Sequence, residues 1–121
     1  MKDIETRGDL EVLMASFYEK LLADNRIGYI FTDIAKINLP EHLPKIVDFW
    51  ELTLFNTGFY QTNVMRVHLD LNQKAPFEAL HFKVWLDHLY ATTDAHFAGP
   101  RAEMLKTRAL SIATVMQIKI A

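Results

Sequence analysis

The chain has 121 residues, half of them hydrophobic and 23% charged, with a net charge of −2 and no cysteine. One domain with its own core is expected at this length, and the charge balance offers no basic footprint for nucleic acid and no polybasic membrane patch. Without cysteine, a disulfide framework, a thiolate nucleophile, an iron–sulfur cluster and a zinc ribbon are excluded.

The first predicted helix runs from about Thr6 to Ala23. Leu10, Leu13, Met14, Phe17 and Leu21 recur at helical spacing, and Thr6 with Asp9 forms a capping pair. A short turn over Ile27 to Phe31 follows Asn25. The second helix is predicted from about Pro40 to Asn56, with Asn38 as its cap. Pro44 falls inside the pattern, so the regular part is allowed to start only there. His42, Ile46, Phe49, Trp50 and Leu54 share one broad face, and Gly58 is the expected stop.

Val64 to Leu69 reads as a one- or two-turn helix, and Asn72 to Ala75 as a loop. Pro76 is expected to open a third long helix reaching about Thr93, with Phe77, Leu80, His81, Val84, Trp85, His88 and Leu89 at three- and four-residue steps. Gly99-Pro100 breaks the chain. The last helix, about Arg101 to Ile120, turns Leu105, Ala109, Ile112, Ala113 and Met116 inward. No stretch alternates as a half-buried strand does. There is no repeat and no low-complexity run, and residues 1–121 read as a single all-α domain. Met1-Lys2-Asp3-Ile4-Glu5 has no apolar signal-peptide core, and no run approaches 18 apolar residues. A cytoplasmic protein without a membrane span is expected.

Several side chains carry chemistry. His68 sits on a short helix flanked by loops, which can present one histidine to a cofactor without the helix blocking access; a satisfied surface histidine is the plain alternative. Arg66 beside it reads either as a solvated arginine or as a partner for a propionate. Tyr18 follows Phe17, and a buried tyrosine hydroxyl needs a partner, for which a backbone carbonyl would serve. Trp85 offers a donor only, through its indole N–H. Phe49 and Trp50 suit core packing and equally suit the wall of an apolar pocket. Glu78 and His81 have the Glu-x-x-His spacing of di-iron bundles, but only once, where two copies and two further glutamates are required. No Gly-x-Gly-x-x-Gly, Walker-type, His-Glu-x-x-His or Gly-x-Ser-x-Gly motif occurs.

Taken in order, these residues resemble the third group of truncated haemoglobins, small globins reduced to a two-over-two helical sandwich around a haem. The resemblance spans Phe17-Tyr18-Glu19-Lys20, Gly28-Tyr29-Ile30-Phe31, His42 seven residues before Phe49-Trp50, and Met65-Arg66-Val67-His68. It continues through His81-Phe82-Lys83-Val84-Trp85-Leu86 to Gly99-Pro100 and the run from Ala102 to Met116. It implies haem b as cofactor and His68 as the proximal ligand of the haem iron. Tyr18, His42 and Trp85 are then distal residues, with His42 a gate or a competing sixth ligand. Phe31, Ile46, Phe49 and Trp50 are then pocket walls. The small ligand would be dioxygen, nitric oxide or carbon monoxide. An enzyme of peroxidase or nitric oxide dioxygenase type, served by an external reductase, is the alternative. A cofactor-free helical interaction domain is a more distant one. Two positions depart from the resemblance. Val84 stands where many relatives carry arginine, and His88 lies in a stretch that is usually apolar.

Overall fold

The computed structural model describes residues 1–34, 36–56 and 78–120. The expected helix from Val64 to Leu69, with Arg66 and His68, lies outside the described residues, as do Gly58 and Pro76. Helix α1 spans Arg7–Ala23, α2 Leu39–Phe55, α3 Ala79–His96 and α4 Pro100–Ile120. Helix α1 packs on α2 and α3, and α4 on α3 and α2. Two helix pairs are thereby stacked one over the other, and no strand occurs among the described residues.

Local chemistry explains the element boundaries. Thr6 caps α1 by accepting from the Asp9 N–H, while the Asp9 carboxylate accepts from the Thr6 N–H. Each satisfies an orphan donor of the first turn. Leu10, Leu13, Met14, Phe17, Tyr18 and Leu21 are buried along one side of α1. The turn expected over Ile27 to Phe31 instead leads into a wide π-helical turn, Ile30–Ile34. The Asp24 carbonyl starts it by accepting from both the Ile27 and Gly28 N–H groups. Glycine is required at 28 because an added Cβ would lie 2.3 Å from the Leu22 carbonyl oxygen.

Helix α2 begins at Leu39, capped by Asn38, and runs through Pro44 without a restart. Pro44 deletes one bond to the Pro40 carbonyl, and both residues are exposed, where water replaces it. The helix ends at Asn56, whose left-handed backbone (φ 57°) makes the stop that was expected at Gly58. Arg7 ties α1 to α2 through Asp48 and Glu51, at 2.7 and 3.0 Å. Helix α3 continues three residues beyond the expected Thr93. At its start the Glu78 N–H donates to His81 Nδ1 at 2.8 Å. The Glu-x-x-His spacing is thus that of a helix cap.

The start of α4 has an unusual source of capping. Gly99, just before it, has φ +146° and no side chain to offer. The Asp3 carboxylate supplies the cap from the other end of the chain, accepting from the Arg101 and Ala102 N–H groups at 3.0 and 2.9 Å. The Ala98 N–H also donates to the Lys2 carbonyl. The N-terminal arm and the α3–α4 turn are therefore one structure.

Candidate functional site

A cavity opens among α1, α2, α3 and α4, lined by Phe17, Tyr18, Ile46, Phe49, Trp50, Trp85, Leu89 and Ile112. Its empty space, open mouth included, is about 390 Å³. Helical spacing builds it. Ile46, Phe49 and Trp50 lie three and four residues apart on α2, and Trp85 and Leu89 one turn apart on α3. Trp50 and Leu89 are buried, whereas Ile46, Phe49, Trp85 and Ile112 are only half-buried. Large apolar side chains left half-exposed around a concavity mark a surface prepared for a further apolar body.

Aromatic rings set the wall. Phe17 meets Trp85 edge-on at 6.1 Å between centroids, and Phe49 meets Trp50 at 5.1 Å. Tyr18 meets Phe31 at 6.3 Å and His42 at 5.3 Å, again edge-on. Such edge contacts fix ring orientation as well as burying area.

The polar content is concentrated in a few groups. The Tyr18 hydroxyl and His42 Nε2 share a hydrogen bond at 3.0 Å. Burial pushes the Tyr18 hydroxyl well above its ordinary pKa, so it keeps its proton. Burial, helped by the Lys45 charge, pushes His42 below its ordinary value, so the ring is neutral near pH 7. The indole N–H of Trp85 has no hydrogen-bond partner among the described residues.

Of the residues expected from the sequence, Tyr18, Ile46, Phe49, Trp50 and Trp85 line the cavity together. Phe31 and His42 meet Tyr18 and do not line it. Phe17, Leu89 and Ile112 are wall residues that were read from the sequence only as core. Their signal was present, since Phe17 adjoins Tyr18 and Leu89 follows Trp85 by one turn.

No family model matches the chain. Over 108 residues it is 31% identical to the group 3 truncated hemoglobin ctb of Campylobacter jejuni, a match covering 87% of this chain and 83% of that protein. The chain belongs to the group 3 truncated haemoglobins. The crystal structure of a group III truncated hemoglobin from the same organism matches this truncated haemoglobin with a TM-score of 0.88 and 27% identity. That match covers 100% of this chain and 96% of the other. The stacked helix pairs are therefore the truncated-globin fold, and the cavity lies within that fold.

Proposed function

We propose that this truncated haemoglobin holds haem b in the cavity and binds a small diatomic ligand there: dioxygen, nitric oxide or carbon monoxide. The observation that carries the reading is the cavity itself, apolar and aromatic on most sides, with buried Tyr18 in one wall, hydrogen-bonded to half-buried His42 behind it. When bound, haem supplies an iron with one position for a protein ligand and one for a gas molecule. His68 is assigned as that protein ligand from the family resemblance, and Arg66, two residues before it in sequence, as a propionate partner. Ile46, Phe49, Trp50 and Trp85 pack the apolar body of the group, and Phe31 supports Tyr18.

The remaining chemistry belongs to hydrogen-bond donors. A diatomic ligand with partial negative charge on its outer atom is stabilised by a donor aimed at it, at about 1.5–3 kcal/mol per bond. Trp85 can only donate. Tyr18 has one proton, and His42 decides its direction. With Nε2 unprotonated, the ring accepts the Tyr18 proton and withholds it from the cavity. With Nε2 protonated, the ring donates to the Tyr18 oxygen and leaves the hydroxyl proton free to point at the ligand.

The test is kinetic. Tyr18→Phe and Trp85→Phe should each speed dissociation of dioxygen from the ferrous protein, measured by stopped-flow, by about ten- to a hundred-fold. Unchanged rates in both variants would remove the donors from the ligand's surroundings.

A further inference from the structure

Asp24 sits where α1 gives way to the π-helical turn, and its bonds converge from three directions. Its N–H donates to the Leu21 carbonyl, and its own carbonyl receives Ile27 and Gly28. Its carboxylate accepts the backbone N–H and the guanidinium of Arg26. The remaining partner comes from another helix. His88, in the middle of α3, lies with Nε2 2.7 Å from Asp24 Oδ2. A carboxylate held by Arg26 has no proton to give, so His88 Nε2 must carry the hydrogen and donate it. The two side chains are only 24% and 12% exposed, so this bond is shielded from the competition that weakens surface pairs.

Its position relative to the cavity gives the bond a consequence. His88 lies one turn beyond Trp85 and next to Leu89, both wall residues. Asp24 lies one turn beyond the helix segment that carries Phe17, Tyr18 and Leu21. Trp85 touches α1 through Phe17 by an apolar edge contact. Apolar contacts tolerate sliding, whereas a short bond to a carboxylate has one register.

We infer that the His88–Asp24 bond is a positioning device that fixes α3 against α1 and thereby aims the Trp85 indole N–H at the cavity. Its effect on ligand release rests on the haem reading given above, whereas its effect on Trp85 does not. Loss of the His88 donor leaves Trp85 in place chemically but changes its direction relative to Tyr18. His88→Leu removes the donor at similar bulk. His88→Gln retains an N–H that can reach Asp24.

Two measurements test this on the full-length protein. The first is the indole N–H resonance of Trp85 in a ¹H–¹⁵N spectrum of the protein as purified, assigned with Trp85→Phe. It should move in His88→Leu and return toward the parent position in His88→Gln, while the Trp50 resonance stays in place. The second is the dissociation rate of carbon monoxide from the haem-loaded protein. His88→Leu should change it by about three- to ten-fold, the coupling expected between neighbouring groups, and should have no effect when Trp85 is already phenylalanine. A Trp85 resonance that ignores His88→Leu would overturn the inference, as would an equal rate change in the Trp85→Phe background. If His88→Leu does not fold, Asp24→Asn in the same two measurements decides the matter. A protein that takes up no haem would defeat the functional reading and leave the resonance test intact.

Discussion

Two side chains, Tyr18 and His42, form a polar pair beside the cavity. Their bond measures 3.0 Å and their surroundings are largely apolar, so the charge state of the imidazole matters to folding. Folding lowers the pKa of His42 from its ordinary 6.5. Below that value the unfolded chain binds a proton that the folded chain resists, so stability falls as pH drops from about 6.5 toward the lowered pKa. Denaturant unfolding at pH 7.5 and at pH 5.5 should show this loss in the parent protein and a smaller one in His42→Gln. Equal losses in the two proteins would mean that His42 is not desolvated by folding. The loss belongs to His42 and not to the carboxylates. Asp3, Asp9 and Asp24 are all held below the ordinary 3.8 and titrate in a more acidic window.

At the scale of elements, the ends of helices decide the geometry more than their middles do. Asp3 caps α4 across the whole chain, and Gly99 leaves room for it. A Cβ at position 99 would lie 2.6 Å from the Asp3 Cβ. Asp3→Ala should cost about 1–2 kcal/mol in denaturant unfolding, the usual penalty for a lost N-cap. Burial pushes the Asp3 carboxyl up, but its bonds from Arg101, Ala102 and Ile4 outweigh burial and the net shift is downward. Its stabilisation is therefore present above pH 3.8 and is lost as pH falls through the lowered pKa. Gly28→Ala should cost about 1–3 kcal/mol, since the Leu22 carbonyl cannot yield without moving α1. A Gly28→Ala protein as stable as the parent would contradict the tight turn. The sequence made some of these features legible and hid others. Thr6 with Asp9, and Asn38, are short-range signals, and the helices begin where those signals stand. The Asp3 cap and the His88–Asp24 bond join residues 98 and 64 positions apart, and no local pattern encodes them. The π-helical turn was hidden for a related reason. It depends on Gly28 meeting the Leu22 carbonyl, a contact made only once the chain has turned back.

Across the whole molecule, two stacked helix pairs meet around a cavity whose wall side chains come from four helices. The broad face of α2 was legible as such, but its division was not. Val47 and Leu54 go to the core, Trp50 is buried in the cavity wall, Ile46 and Phe49 are half-buried in the same wall, and half-buried His42 meets Tyr18. Periodicity gives the direction of a face and not the gap left opposite it, and only the adjacency of Phe17 to Tyr18 and of Leu89 to Trp85 hinted that they are more than core. A group bound in that gap stabilises the folded state in proportion to the logarithm of its concentration over its Kd. Haem should therefore raise the melting temperature of the parent protein. The most direct measurement is the absorption spectrum of the protein supplied with haem, before and after dithionite and carbon monoxide. The account predicts a Soret band that shifts on reduction and again with carbon monoxide, and that is lost in His68→Ala. A folded, helical protein with no Soret band, or one whose band is unchanged in His68→Ala, would contradict it.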